Sequence, residues 1–473
     1  IKQEHDDDLE NVVEHNLKNG KQLLIFVNSR RSAEAQAEKI RKVAEKYTNL
    51  EFAGELSLEA KEALKSPTKQ CRRLAKCLEK GTAFHHAGLV QKQRKLIEDS
   101  FKSRSLKVIC ATPTLAMGVN LPSSVVVIKD IMRYVGGYGM RPIPVLEYEQ
   151  MAGRAGRPKY DNEGIAIAFA RSPNDIDQIF DNYIYADTEK IFSKLALEPV
   201  LRMHILSLIA TGHVYTEDQL NEFMEKTFYA YQYTDLSDLR HKMKKMLHLL
   251  WKYGLIEMET VGDIKEQGLF VSANAYVEKS KLKATPLGYR VAQMYIDPET
   301  ANLFVESMKN TDEKKINEFS FLHLIVNALE LYPQLRLRKD DYEGIHEKMA
   351  LYEEFMIVPE KLVTYDTYMS SVKTALMLNS WIDEVGEDKL LEQYNVTPGE
   401  LHVKLTTSDW LLYAAHEIGR ITHHTEYQKE LMDLRVRLKH GVKRELLPLV
   451  SLKNVGRIRA RKLFDKGIKN AGD

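Results

Sequence analysis

Short apolar runs alternate with charged, helix-patterned stretches over the first 170 residues of the chain. The runs at 22–27, 106–111, 124–131 and 164–169 are rich in aliphatic residues. Continuous apolar runs of this length are typical of strands that are buried on both faces of a parallel sheet. Helical patterns lie between them, and one begins at Ala33. The alternation predicts a parallel α/β domain over residues 1–180.

Helical periodicity dominates after residue 180. Three amphipathic helical runs cover residues 203–210, 217–228 and 236–253. Two strand-like segments follow them, at 254–259 and 282–287. Three helices and a two-stranded wing predict a winged-helix domain over 181–290. Residues 291–424 are helical throughout and predict a bundle, in which Asp297 and Thr397, each followed by proline, start helices. Residues 425–473 form a short fourth domain.

Composition sets limits on the class of protein. A chain of 473 residues is too long to fold around one hydrophobic core, so several domains are expected. A content of 44% hydrophobic and 29% charged residues is typical of soluble globular domains. No apolar run is long enough to span a bilayer, and no membrane partner is expected. The three cysteines have neither disulfide-framework nor zinc-ligand spacing, which favours a reducing, cytoplasmic location and no metal site.

The formal net charge of +1 is unevenly distributed. Residues 429–473 contain 13 Lys and Arg against 5 Asp and Glu, a local net charge of +8. Such a region attracts phosphate backbones. A merely solvated basic helical tail is the alternative interpretation.

Two arginines lie three residues apart in the string Gln150-Met-Ala-Gly-Arg154-Ala-Gly-Arg157, each after a glycine. Positions i and i+3 share one face of a helix, and the planar guanidinium suits phosphate oxygens. An isolated pair of this spacing is usually a solvated helix start. The full string resembles motif six of superfamily 2 helicases, and this resemblance implies that both arginines reach the γ-phosphate of an ATP held mainly by a neighbouring domain.

Three further segments resemble motifs of the Ski-two-like helicases, in the family's order. Residues 24–31 are similar to motif four, 84–89 (Phe-His-His-Ala-Gly-Leu) to motif four-a, and 109–122 (Ile-Cys-Ala-Thr-Pro-Thr-Leu-Ala-Met-Gly-Val-Asn-Leu-Pro) to motif five. The resemblance implies a second RecA-like motor domain. It also implies that a β-hairpin at about 126–146 splits the duplex. The glycines within 133–139 are typical of its tip, and 143–146 is the expected returning strand.

The resemblance and the residue chemistry together give a set of candidate site residues. Arg154 and Arg157 are the catalytic candidates. Gln150, Gly118 and Asn120 are the candidates for nucleotide binding. The candidates for nucleic-acid binding are Ser29, Arg30, His86, Thr112, Thr114, Tyr134, Tyr138, Lys404, Trp410, Arg457 and Arg459. Adjacent histidines on a strand point in different directions, so His85 and His86 are poor joint metal ligands.

Trp410 lies in the middle of the predicted helix at 398–421. A lone tryptophan on a bundle helix is usually a core residue. This bundle, however, resembles the ratchet domain of archaeal DNA helicases related to HELQ, in which a tryptophan stacks on a base of the translocated strand. Stacking tolerates any base. That family often has an arginine seven residues earlier, where this chain has Val403, and the adjacent Lys404 is a weaker substitute.

The tail around Val455-Gly456 resembles a helix-hairpin-helix, in which turn amides hold a DNA phosphate. On the helix that follows, Arg457 and Arg461 would share a face at i and i+4, while Arg459 would point elsewhere. A small packing cap is the alternative interpretation of this segment.

Taken together, the resemblance implies the C-terminal part of an ATP-dependent 3′–5′ DNA helicase acting in replication-fork repair and recombination. No Gly-x-x-x-x-Gly-Lys-Ser/Thr loop and no Asp-Glu-x-His/Asp box occur in the chain. We therefore expect ATP with Mg²⁺ to be held mainly by a first motor domain outside this chain, and this fragment to be inactive alone. The expected partners are single-stranded and forked DNA, with replication or recombination proteins, and a monomer is expected. An RNA helicase and a non-catalytic nucleic-acid-binding module are the alternatives.

Overall fold

The computed structural model describes residues 1–64, 66–135, 139–156, 161, 163–259, 281–311, 315–359, 365–470 and 472. The chain divides into two compact units. The first comprises Ile1–Lys190 with Gly386–His402, and the second comprises Ile191–Val385 with Val403–Asp473. The sequence placed residues 386–402 within the helical bundle at 291–424. Their contacts instead assign them to the unit that contains the motor motifs.

A five-stranded parallel sheet forms the centre of the first unit. The strands of this unit, in chain order, are β1 (Leu23–Phe26), β2 (Thr82–His85), β3 (Val108–Ala111), β4 (Val125–Ile128), β5 (Met132–Val135), β6 (Gly139–Pro142) and β7 (Ile165–Ala168). The sheet order is β2-β3-β1-β4-β7, and every neighbouring pair is parallel. All residues of β1, β3 and β4 are buried, as continuous aliphatic runs require. The predicted parallel α/β domain is confirmed.

Helices connect and flank these strands. They are Asp8–Lys18, Arg30–Ala44, Leu50–Glu62, Lys69–Leu78, Gln91–Lys102, Thr114–Gly118, Val145–Ala152, Pro173–Ile179 and Glu387–Tyr394, with a 3-10 turn at Glu45–Tyr47 and a π-helical turn at Phe180–Ile184. The predicted helix start at Ala33 was wrong. The helix begins at Arg30 because the Ser29 hydroxyl accepts a hydrogen bond from the Ser32 N–H at 3.1 Å and caps it.

The predicted hairpin between motifs five and six is present as an antiparallel pair, β5 and β6, with Met132 opposite Pro142. The expected returning strand at 143–146 was wrong. The strand ends at Pro142, which lacks an N–H donor, and helix Val145–Ala152 follows directly. Residues 136–138 lie outside the described residues, so the prediction for Tyr138 does too.

The second unit begins with helices Glu198–Ala210, Glu217–Glu225, Phe228–Gln232 and Ser237–Lys252. Strands β8 (Ile256–Glu259) and β9 (Lys281–Ala284) then pair antiparallel, and helix Pro286–Met294 follows. The elements occur in the order that the sequence predicted. Residues 260–280, which would contain the wing, lie outside the described residues, and the winged-helix assignment stays a prediction.

The remaining helices of the second unit form its helical part. They are Pro298–Lys309, Glu318–Val326, Tyr342–Tyr352, Tyr365–Ile382, Pro398–Ile421 (of which residues 398–402 belong to the first unit), Gln428–His440, Leu447–Val450 and Arg457–Asp465, with 3-10 turns at Leu329–Leu331, Lys339–Asp341, Glu353–Phe355 and Arg444–Leu446. Asp297 caps its helix by accepting from the Glu299 N–H at 2.8 Å. It also accepts two hydrogen bonds from the buried Arg202 guanidinium, at 2.7 and 3.0 Å.

The last residues have a small core of their own, built by Val442, Leu446, Leu449, Val450 and Ala460. Cys71, Cys77 and Cys110 are buried free thiols. Across the described ranges, no helix combines the length and the apolarity that crossing a membrane requires.

Candidate nucleotide and nucleic-acid interface

The loop that follows β3 carries the predicted motif-five residues. Thr112 directly follows the strand, and its N–H donates to the His85 carbonyl at 3.2 Å. The hydroxyls of Thr112 and Thr114 are 2.9 Å apart. Gly118, the last residue of helix Thr114–Gly118, and Asn120, which follows that helix, are both exposed. The loop therefore presents hydroxyls and an open glycine at the carboxyl edge of the sheet, where ligands bind in α/β folds.

Arg154 lies against this loop. Its guanidinium donates twice to the Ala116 carbonyl, with the Nε contact at 3.1 Å. The backbone joins the same two segments, because the Ser123 N–H donates to the Arg154 carbonyl at 2.8 Å and the Gly156 N–H donates to the Ser123 carbonyl at 2.7 Å. The structure thus brings motifs five and six together. Arg157 lies outside the described residues.

Helix Val145–Ala152 leads into Arg154 and holds two further polar groups. The Gln150 side-chain oxygen is buried and has no hydrogen-bond partner among the described residues. Glu147 accepts two hydrogen bonds from Arg133 of β5, at 2.9 and 2.6 Å, and so ties the hairpin to this helix. Sequence reasoning missed this pair, because nothing in the local pattern indicated which cation Glu147 would meet. Tyr134 lies on β5 and has 61% of its surface exposed.

The loops after β1 and β2 hold Ser29, Arg30 and His86. The Ser29 hydroxyl is used as a helix cap, and Arg30 forms an ion pair with Glu400. The His86 side chain, a predicted nucleic-acid contact, lies in the interior of the first unit. Its ring is fully buried, lies 3.2 Å from the Glu34 carboxylate and accepts from the Gly88 N–H at 3.1 Å. The imidazole is therefore bonded within its own loop and is not exposed for contact with a nucleic-acid strand.

Trp410 is half-buried in the second unit. Its indole N–H donates to the Met294 carbonyl at 3.0 Å, which satisfies an orphan carbonyl at the end of helix Pro286–Met294. Lys404 donates to the Pro333 carbonyl at 2.7 Å. Arg290, which the sequence did not single out, contacts the same helix through Glu417 at 2.9 Å and the Tyr413 hydroxyl at 2.7 Å. A hydrogen bond therefore holds the indole N–H of Trp410, and its stacking role stays a prediction.

The arginines of helix Arg457–Asp465 divide between two environments. Arg461 donates to Glu384 and Glu445, at 2.9 and 2.8 Å, and the Arg457 guanidinium lies 4.8 Å from the centre of the Trp381 ring. On the face that Arg457 shares with Arg461, both guanidinium groups contact other side chains of the chain, and the role of Arg457 in phosphate binding stays a prediction. Arg459 is exposed and donates to the Asn454 carbonyl at 2.8 Å.

Comparison with known proteins agrees with this arrangement. Residues 65–159 match the helicase conserved C-terminal domain, and residues 319–441 match domain 4 of archaeal helicases. "ATP-dependent DNA helicase Hel308" from Methanocella arvoryzae is 37% identical over 468 residues, covering 98% of this chain and 60% of the relative. The protein of that name from Pyrococcus horikoshii is 37% identical over 471 residues, covering 98% and 61%.

A parallel sheet with motifs five and six side by side at its carboxyl edge is consistent with a RecA-like α/β domain, and residues 65–159 of it match the helicase conserved C-terminal domain. The chain is a homologue of the Hel308-type archaeal superfamily 2 DNA helicases. It spans about three-fifths of the length of the relatives that it matches.

Proposed function

We propose that this chain is part of an ATP-dependent DNA helicase that moves 3′–5′ along single-stranded DNA and unwinds forked or branched DNA. The relatives' names support ATP and DNA as the substrates. Within the chain, the observation that carries the proposal is the contact of Arg154 with the motif-five loop. Polarity and fork preference rest on the family resemblance.

Arg154 has the chemistry that phosphate sensing requires. Within the part of the chain that the structure describes, its acceptor is a neutral carbonyl and no carboxylate pairs with the guanidinium. The unpartnered Gln150 oxygen, on the helix that leads into Arg154, supplies a further polar group for a ligand. These residues are suited to a nucleotide phosphate at this edge. We place the remaining nucleotide contacts and the Mg²⁺ ligands on a first motor domain.

The same contact gives a route from ATP to the DNA strand. Arg154 donates a hydrogen bond to the carbonyl of Ala116, which lies in the helix that starts at Thr114. A shift of the guanidinium toward a phosphate therefore alters the loop that carries Thr112 and Thr114. Those hydroxyls contact the strand backbone in this proposal, and Trp410 stacks on a base between steps. Tyr134 places an exposed ring on the hairpin that opens the duplex.

DNA is favoured over RNA because the matched relatives are named DNA helicases. Contacts to phosphates alone do not distinguish the two sugars unless a 2′-hydroxyl is read. A non-catalytic binding module is the alternative from another class, and it predicts nucleic-acid binding without ATP hydrolysis.

The test uses the complete protein with ATP and Mg²⁺ on matched DNA and RNA forks with 3′ or 5′ tails. We expect unwinding of 3′-tailed DNA and strand-stimulated ATP hydrolysis. Arg154→Ala abolishes both, whereas Lys76→Ala, an exposed cation of the same unit that lies outside the motif segments, leaves both unchanged. Preferential RNA unwinding would overturn the choice of substrate, and binding without hydrolysis would favour the non-catalytic alternative.

A further inference from the structure

The segment Gly386–His402 is a component of the first unit, although most of its chain neighbours belong to the second. It consists of helix Glu387–Tyr394, a short turn and the first residues of helix Pro398–Ile421. Three separate groups of contacts, centred on Asp388, Gly399 and Glu400, hold it against the rest of the first unit.

The first contact is made by Asp388. Its carboxylate accepts a hydrogen bond from the Lys69 N–H at 2.7 Å and one from the Arg72 guanidinium at 2.8 Å. Lys69 is the first residue of its helix, so its N–H has no partner within that helix. Asp388 therefore binds the segment to a helix terminus of the motor domain.

The second contact is a close backbone approach at Gly399. Its N–H donates to the Gly88 carbonyl at 3.1 Å. A Cβ added at Gly399 would overlap the Ala87 carbonyl oxygen and would lie 2.8 Å from that of Leu89. Both approaches are closer than real Cβ atoms show, and the opposing atoms are backbone. Only glycine permits this approach to the motif four-a loop.

The third contact is made by Glu400. Its carboxylate accepts from the Thr397 N–H at 3.0 Å and from the Thr397 hydroxyl at 2.8 Å, which closes the start of the helix. Its other oxygen pairs with Arg30, the first residue of the helix after β1. Burial alone would raise the pKa of Glu400, but the Thr397 N–H and the Arg30 charge outweigh it and lower that pKa. Glu400 thus links the helix start to the motif-four loop as a carboxylate.

We propose that Gly386–His402 is a coupling element that transmits rearrangements of the loops after β1 and β2 to helix Pro398–Ile421, with Gly399 and Glu400 as positioning residues. Trp410 lies ten residues after Glu400 on that helix, an axial rise of about 15 Å. A continuous helix passes such a displacement along its length. In this assignment Arg30 acts through Glu400 and not on DNA. The inference rests on the proposed helicase function.

The first test compares Gly399→Ala with Gly54→Ala in the complete protein. Gly54 is also helical and lies in the first unit, but a Cβ there meets nothing within 4 Å. We expect Gly399→Ala to lower DNA unwinding at least tenfold while DNA-stimulated ATP hydrolysis changes less than threefold. Gly54→Ala leaves both rates unchanged. Equal loss of both activities in Gly399→Ala, or loss of neither, overturns the coupling role.

The second test does not depend on whether Gly399→Ala folds. Arg30→Gln, Glu400→Gln and the double variant are compared for base pairs unwound per ATP hydrolysed. If Arg30 acts through Glu400, the double variant is no worse than the more impaired single variant. If the two defects multiply, Arg30 has an independent partner and the inference fails. An unmodified protein that hydrolyses no ATP would refute the proposed function itself, which separates the two failures.

Discussion

Two arginine-bearing surfaces of this chain, the motif-six loop and the C-terminal helix, differ in what their guanidinium groups contact. Arg154 donates to a main-chain carbonyl. Arg461 donates to two carboxylates, Glu384 and Glu445, at 2.9 and 2.8 Å. A neutral acceptor leaves the charge available for a phosphate, whereas two carboxylates neutralise it. Arginine content therefore says less about phosphate binding than the identity of the acceptor does.

The same comparison explains why the local charge of residues 429–473 overstates their attraction for DNA. Three of the arginines in this region pair with carboxylates from elsewhere in the second unit. These pairs are Arg435 with Asp409, Arg437 with Glu318, and Arg461 with Glu384. A count over a sequence window cannot include acids that folding brings in from outside it.

The largest effect is expected from Arg154→Ala. Loss of the guanidinium removes the charge that would stabilise a transferring phosphate, and arginines in this role are worth about 10³-fold or more in kcat. The measurement is the rate of ATP hydrolysis by the complete protein with single-stranded DNA. Arg459→Ala, from the other surface, should leave that rate unchanged at saturating single-stranded DNA, because the loss of one phosphate contact weakens only DNA binding. A loss of less than tenfold in Arg154→Ala would place this residue outside the nucleotide site.

A smaller effect, on folding, is expected from Arg461→Ala. The substitution leaves Glu384 and Glu445 without their shared cation, and both are partly exposed, which moderates the cost. We expect the free energy of unfolding to fall by about 1–2 kcal/mol. Urea denaturation of this chain measures it, with Arg459→Ala, expected within about 0.5 kcal/mol of the unmodified chain, as the matched control. Equal destabilisation by both substitutions would contradict the inward-facing assignment.

Local patterns predicted much of the fold. Four of the five parallel strands followed from aliphatic runs, and helix Pro398–Ile421 was predicted with its observed bounds from helical periodicity and its Thr397-Pro398 start. The returning hairpin strand was misplaced because Pro142 ends it before the apolar residues that suggested it. The membership of Gly386–His402 in the first unit depends on Gly399 meeting a loop some 300 residues earlier. No local pattern contains that information.

The site was predictable where a motif fixes backbone geometry, as for Arg154 beside the motif-five loop. It was not predictable where a side chain's partner is distant in sequence. His86 was predicted to contact nucleic acid within the segment that resembles motif four-a, whereas the structure buries its ring 3.2 Å from the Glu34 carboxylate. Arg30 was predicted to bind DNA, whereas in the structure its guanidinium forms an ion pair with the Glu400 carboxylate.

Lowering the pH should reduce the difference in free energy of unfolding between the unmodified chain and Arg461→Ala. Burial raises the pKa of Glu445, but hydrogen bonding and charge from Arg461 outweigh this and lower it below the ordinary value of 4.5. A carboxyl with a lowered folded-state pKa contributes stability above its unfolded pKa and loses it as the pH falls through the folded one. Urea denaturation at pH 7 and at successively lower pH should show that this difference in unfolding free energy becomes smaller below about pH 4.5. A difference in unfolding free energy that stays constant with pH would mean that the ion pair does not stabilise the folded chain.

The smallest effect distinguishes Arg459 from Arg461 in DNA binding. Removing one side chain that neutralises a phosphate lowers the slope of log K against log salt by about 0.7 for single strands or 0.9 for duplex DNA. Exposed Arg459 can reach a phosphate, so Arg459→Ala should reduce the slope by one such step. Arg461→Ala should leave it unchanged, since its partners are Glu384 and Glu445. Fluorescence anisotropy of this chain on labelled DNA, between about 50 and 200 mM salt, measures both slopes. A reduced slope in Arg461→Ala, with none in Arg459→Ala, would show that the helix binds phosphate through the opposite face and would reverse the comparison between the two arginines.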